Sequence, residues 1–139
     1  MKILLDTNVV LDHILSREPH AESARKIFDL ICRDEMEAAL TANSVTDIYY
    51  IISKRLGDAA AREALRHLFN ILVIISVDGS DCISALNLPM PDFEDAVVAV
   101  CAGRSSIDYV VSNDKLFQQT DSQLANVISP DDLERGLGL

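Results

Sequence analysis

A chain of 139 residues, 49% of them apolar, can form one domain that buries roughly 70% of the surface its unfolded form exposes, so neither a disulfide framework nor a structural metal is required. Twelve basic against twenty-two acidic residues give a net charge of −10, which opposes long-range attraction of a polyanion. Cys32, Cys82 and Cys101 show no CxxC or zinc-ligand spacing and no signal-peptide region follows Met1, so buried free thiols in a soluble, cytoplasmic protein without membrane contact are expected.

Ile3 to Leu5, the three apolar residues after Lys2, predict a short strand buried on both faces, ended by Asp6. Thr7 and Asn8 turn the chain into a helical pattern through Val9, Val10, His13 and Ile14. Pro19 suits a first helical position, and Ala24, Ile27, Phe28 and Ile31 keep helical spacing after it. A second strand is predicted over Ala38 to Thr41. Asn43 and Ser44 then open a helix carrying Val45, Ile48, Tyr49, Ile52 and Leu56, with Gly57 closing it. Positions 48 to 52 are apolar throughout, more than one core-facing stripe requires, and Tyr50 and Ile51 are therefore candidate contacts with another chain. A helix over Ala59 to Phe69, a strand over Leu72 to Ser76 and a short helix over Ser80 to Leu88 follow. Ala96 to Gly103, nearly all small and apolar, predicts a central helix. Tyr109 to Val111 and Val127 with Ile128 predict the last strands, and Asp131 to Arg135 a terminal helical turn. Strands alternating with helices predict one α/β domain over residues 1–139, with a mostly parallel sheet.

Four acids share one kind of position. Asp6 follows the first strand, Asp47 comes three residues after Ser44, Asp95 three residues after Asp92, and Asn113 with Asp114 follow the strand that ends at Ser112. In a parallel sheet the strand ends and the helix starts that follow them share one edge. Each acid also suits capping, since Ser44 with Asp47 and Asp92 with Asp95 have capping-box spacing and Asp114 can cap a turn at Lys115. Four carboxylates on one edge, however, call for a proton or a divalent cation. An all-oxygen set selects Mg²⁺ or Mn²⁺, which would activate water and stabilise charge on phosphate oxygens. His13, His20 and His67 are isolated, and no GxSxG, HExxH, P-loop or GxGxxG sequence offers another chemistry. The acidic net charge can be met by such cations, or by Arg17, Lys54, Arg55, Arg62, Arg66 and Arg104 gathering on one face.

LLDTNVVLD at Leu4 to Asp12, SVTDIYYI at Ser44 to Ile51, PDFEDAVVAVCA at Pro91 to Ala102 and IDYVVSND at Ile107 to Asp114 together resemble a PIN domain, and within that family the bacterial VapC-type toxins. The resemblance implies a three-layer α/β/α fold and a metal-dependent ribonuclease, usually the toxin of a toxin-antitoxin pair and often a homodimer. It implies RNA as substrate, a cognate antitoxin as partner, and Asp6, Asp47, Asp95 and Asp114 as the catalytic, metal-holding acids. Asn8, Ser44, Asp92, Ser112 and Asn113 then support them, and Asp12 and Glu94 are second-rank or capping groups. Two departures stand out: the second acid is commonly Glu where this chain has Asp47, and Leu116 occupies a place where the family often carries a further acid. The competing expectation is a PIN-like module that binds RNA or protein with weak or no cleavage. A receiver-like phosphoacceptor domain is disfavoured, because its early acidic doublet and mid-chain strand-end Asp are missing.

Overall fold

The computed structural model describes residues 1–120 and 123–138. The elements run β1 (Lys2–Leu5), α1 (Thr7–Ile14), α2 (Ala21–Cys32), β2 (Glu37–Thr41), α3 (Ala42–Leu56), α4 (Asp58–Ile71), β3 (Val73–Ile75), α5 (Gly79–Leu86), α6 (Phe93–Arg104), β4 (Tyr109–Val111), α7 (Lys115–Gln119), β5 (Val127–Ile128) and α8 (Pro130–Leu137). The strands form one sheet in the order β3-β2-β1-β4-β5. Every pairing is parallel, with Leu4 opposite Ala39 on one side and Val110 on the other.

Successive side chains on a strand face opposite ways, and here both faces are covered. Ile3, Leu5, Ala38, Leu40 and Val111 join a core with α1 to α4 and Leu133 of α8. Leu4, Ala39 and Val110 join a second core with Ala85 of α5, Ala96 to Ala102 of α6 and Phe117 of α7. This double burial explains why the strands are apolar at consecutive positions rather than alternating. The layers are therefore α/β/α.

Strand order positions everything that follows. From β1 the chain moves outward through β2 to β3, then crosses by α5 and α6 to β4 on the opposite side of β1. Connections leaving the carboxyl ends of β1 and β4 thus diverge, and a crevice opens between them. Far from that crevice, the last residue of α6 is tied to α5. The Arg104 guanidinium donates to both oxygens of buried Asp81 at 2.8 and 2.7 Å, and Asp81 also completes a capping box with Asp78. Those bonds from Arg104 and the backbone hold the Asp81 carboxyl down at about 2.

Several local expectations change. Pro19 precedes α2 instead of entering it, because the helix starts at Ala21 with His20 at its N-cap. Helix α3 starts at Ala42, so Ser44 lies inside its first turn; its hydroxyl bonds Thr41 at 3.0 Å, and the anticipated pairing with Asp47 does not form. The strand over β3 is shorter than expected, and the terminal turn is the eight-residue helix α8. Only Cys101 is a buried thiol, since Cys32 and Cys82 are exposed. Three of the basic residues expected to gather are already paired: Arg62 bonds Asp58, Arg66 bonds Glu63 and Arg104 bonds Asp81.

Between α3 and α4, Gly57 adopts φ +92° and ψ 167°, a conformation open essentially to glycine alone. A Cβ there would meet nothing within 4 Å, so the cost of Gly57→Ala is backbone strain rather than collision. Urea unfolding should show a loss of about 1–3 kcal/mol with an unchanged slope; an unaltered midpoint would show that the turn readily accepts another backbone conformation.

Candidate active site

Asp6 is the N-cap of α1 and stands where β1 ends. Its own N–H donates to Val111 O of β4 at 2.9 Å, which continues the ladder one residue past the strand. Its carboxylate is held on both oxygens: Oδ1 accepts from Thr7 N at 2.9 Å, and Oδ2 accepts from Ser112 Oγ at 2.6 Å and Asn8 Nδ2 at 3.2 Å. The fully buried Ser112 follows β4, so adjacent strands deliver the acid and its main donor to the same point. Asn8 Oδ1 accepts from Asn113 N at 3.1 Å, while Asp114 N donates to Ser112 Oγ at 3.0 Å. Thr7, Asn8, Ser112 and Asn113 thus form one polar mount for Asp6. Burial raises the Asp6 carboxyl above its ordinary range; the Ser112 and Thr7 bonds oppose that rise, and the charges of Asp114 and Asp92 add to it.

A cleft of about 400 Å³ opens on this mount, lined by Asp6, Thr7, Asn8, Leu11, Arg17, Asp47, Ile51, Asp92, Glu94 and Asp95. Helix α1 contributes Asn8 and Leu11, α3 contributes Asp47 and Ile51, and the start of α6 contributes Glu94 and Asp95. Asp92 caps α6, its Oδ1 accepting from Asp95 N at 3.0 Å, so capping and cleft-lining coexist in one residue. Asp95 is pushed up to about 7 by burial and by the charges of Asp92, Asp6 and Asp114. Glu94 is also raised to about 7, first by a hydrogen bond shared with the Asp47 carboxyl, then by burial and the charges of Asp47, Asp92 and Asp6.

Three of the four expected acids, Asp6, Asp47 and Asp95, therefore line one cleft together with Asp92. Asp114 acts on Asp6 and Asp95 through its charge but is not among the lining residues, and its Oδ1 caps α7 by accepting from Leu116 N at 2.9 Å. Leu116 itself is exposed on α7. Ser44 serves Thr41 rather than the cleft. Two lining residues were undervalued in the sequence. Glu94 carried a signal, being the third acid within Asp92 to Asp95, whereas Arg17 lies beyond the end of α1 and no helical spacing points to it.

The donor chemistry fits a hard divalent cation: the acids offer oxygen only, and Thr7 Oγ1, buried at the cleft, has no hydrogen-bond partner. Among the described residues no three His, Cys, Asp or Glu side chains already stand close enough to hold an ion. Free carboxylates repel one another, and that repulsion contributes to the raised Glu94 and Asp95 carboxyls.

Residues 2–116 match the family model of the PIN domain. The chain is a PIN domain. Among curated proteins this PIN domain is 23% identical over 128 residues to Ribonuclease VapC1 of Aquifex aeolicus (strain VF5), with 88% of each chain covered. Its fold is similar to that of the DNA-bound VapBC complex of Salmonella typhimurium, at a TM-score of 0.68 and 18% identity over 94% of this chain and 98% of that one. It is also similar to VapC20 of Mycobacterium tuberculosis, a sarcin-ricin loop cleaving toxin, at a TM-score of 0.62 and 12% identity over 88% and 92% of the two chains. No helix among the described residues is long and apolar enough to cross a membrane.

The raised carboxyls set a pH dependence. Between the ordinary carboxyl range near pH 4 and about pH 7, folded Asp95 retains a proton that the unfolded chain releases, so its contribution to stability declines as pH rises through that window. In chelator, Asp95→Asn should therefore melt increasingly above wild type from pH 4 to pH 7, by roughly 3–6 °C for each kcal/mol relieved. A melting difference that does not change with pH would show that Asp95 carries no such strain.

Proposed function

We propose that this PIN domain is a ribonuclease that hydrolyses RNA phosphodiester bonds with Mg²⁺ or Mn²⁺ held by Asp6, Asp47, Asp95 and Asp114, and that it acts as the toxin of a toxin-antitoxin pair. The observation that carries the reading is the acid cleft at the divergence of β1 and β4, with Asp6 fixed on both oxygens by Thr7, Asn8 and Ser112. Support also comes from the name of the Aquifex relative, a ribonuclease, and from similar folds described as a cleaving toxin and as VapBC complexes. A bound divalent ion supplies charge for the phosphate oxygens and acidifies water.

The chain's own residues supply position and proton handling. Ser112 and Asn8 keep Oδ2 of Asp6 from rotating out of the cleft, and Thr7 N–H fixes Oδ1. Asp95, with a carboxyl near 7, can hold or release a proton at neutral pH, and Glu94, raised to about 7 beside Asp47, can do the same in the same cleft. Asp47 is one methylene shorter than the usual glutamate, and Glu94 beside it restores a second carboxyl to that side of the site.

The partner surface proposed for an antitoxin, or for a homodimer, is the outer face of α3. Tyr50 is 56% exposed and the Lys54 ammonium lies 4.6 Å from the centre of its ring, while Ile51, one residue on, lines the cleft. A protein seated there would therefore stand beside the acids. Light scattering of wild type and Tyr50→Glu, each alone and with a co-expressed antitoxin, should show assembly lost in the variant; equal assembly would place the interface elsewhere.

The decisive variant is Asp6→Asn. The amide keeps the shape and can still accept from Thr7 N, so the α1 cap survives, but it is a poor ligand for a hard cation. Cleavage of a mixed RNA substrate in Mg²⁺ or Mn²⁺ should vanish, and the metal-free melting temperature should hold or rise as repulsion is relieved. Equal cleavage by both proteins, or wild-type cleavage indifferent to chelator, would refute the assignment. A wild type that binds RNA without cutting it would favour the binding-module alternative, to which the net charge and Leu116 lend support.

A further inference from the structure

Of the side chains lining the acid cleft, Arg17 is the cation among five carboxylates, and its placement is built rather than incidental. Helix α1 ends at Ile14, yet the Arg17 guanidinium reaches back to its first turn. Ser16 adopts φ +50°, a left-handed conformation uncommon for a residue with a side chain, and the Arg17 N–H returns to Asp12 O at 3.1 Å. The side chain then runs along the helix, donating from Nε to Asp12 Oδ1 at 2.9 Å and from Nη2 to Asn8 O at 3.2 Å. Asp12 is buried, and its other oxygen accepts from Asn113 Nδ2. Arg17 is therefore clamped to the same Asn8 and Asn113 that mount Asp6.

Pairing with Asp12 accounts for Nε, and the bond to Asn8 for one N–H of Nη2. Nη1 has no hydrogen bond among the described residues, and the side chain remains 35% exposed at the cleft wall. A guanidinium fixed on one edge and open on the other is preorganised for a phosphate oxygen, and little side-chain freedom is left to lose. Arg62, Arg66 and Arg104, by contrast, are already paired with Asp58, Glu63 and Asp81.

We propose that Arg17 binds a backbone phosphate of single-stranded RNA through the open edge of its guanidinium and so sets the register of the strand across the acids. The nature of the ligand rests on the ribonuclease reading above. The test compares Arg17→Lys with the double variant Asp12→Asn/Arg17→Gln, which removes both charges together and leaves no buried ion unpaired. If Arg17→Lys does not fold, the double variant carries the test. Binding is read by anisotropy of a fluorescein-labelled RNA of mixed sequence, in Mg²⁺ and on the Asp6→Asn background.

Both variants should bind roughly tenfold more weakly, as loss of one charge-assisted hydrogen bond implies, and the slope of log affinity against log salt should fall by about 0.7 in the double variant, which loses the cation, and hold in Arg17→Lys, which keeps it. On the Asp6 background, Arg17→Lys should raise KM with kcat little changed, whereas a merely structural role would lower the active fraction at constant KM. Unchanged affinity and salt slope in both variants would overturn the proposal. A wild type that never cuts RNA, combined with Arg17-dependent binding, would instead remove the ribonuclease reading and leave this one standing; intact cleavage with Arg17-independent binding would do the reverse.

Discussion

Repulsion among carboxylates is the constraint to which the rest of the molecule answers. At an effective dielectric of about 20, two such charges about 4 Å apart oppose each other by about 4 kcal/mol, and the cleft holds five acids along its wall. The fold answers with donors, dipoles and protons. Ser112, Asn8 and Thr7 direct three hydrogen bonds at Asp6, and the first turns of α1 and α6 point their positive ends at the cluster. Glu94 and Asp95, each raised to about 7, can retain a proton there. Bringing two helix starts and two strand ends to one place requires connections that leave neighbouring strands in opposite directions, which the order β3-β2-β1-β4-β5 supplies between β1 and β4.

That dependence explains why the sequence was informative where it was. An acid directly after an apolar run, as at Leu5-Asp6 or shortly after Val111, marks a strand end whatever its tertiary partners, and strand ends of a parallel sheet share an edge. The small residues of Ala96 to Gly103 announced a helix buried among close neighbours, and α6 is that helix. Local signals failed where a tertiary bond competed with them. Ser44 had the spacing of a cap for Asp47, but buried Thr41 claims its hydroxyl and α3 begins earlier. Pro19 suited a helix start, yet the turn that delivers Arg17 to Asp12 and Asn8 precedes α2 and includes the residues up to His20.

The same contrast separates the acids from the groups around them. Capping and cleft-lining were weighed as rivals, although Asp92 and Asp6 do both, since the N–H groups at a helix start take one carboxylate oxygen only, and the second oxygen of Asp6 is held at the cleft by Ser112 and Asn8. Arg17 was legible only as one positive charge among six, because its position depends on a left-handed Ser16 and on side-chain bonds that span nine residues. Periodicity carries no record of such a path.

Helix α6 shows how a strained site is tolerated. At its start, Asp95 is crowded by Asp92, Asp6 and Asp114 and is pushed up to about 7. At its end, Arg104 grips Asp81 with two short bonds and holds that carboxyl at about 2. The two act oppositely on stability: the Asp81 contribution is present above the ordinary carboxyl range and is lost as pH falls through about 2, while ionised Asp95 subtracts from stability as pH rises towards 7. At neutral pH the helix is therefore anchored at the end remote from the chemistry and electrostatically loaded at the end that lines the cleft. Its middle, from Ala96 to Ala102, is fixed by burial against the sheet. A rigid rod held in this way cannot relieve the load by shifting along its axis, so relief comes through a proton or a counter-charge in the cleft itself.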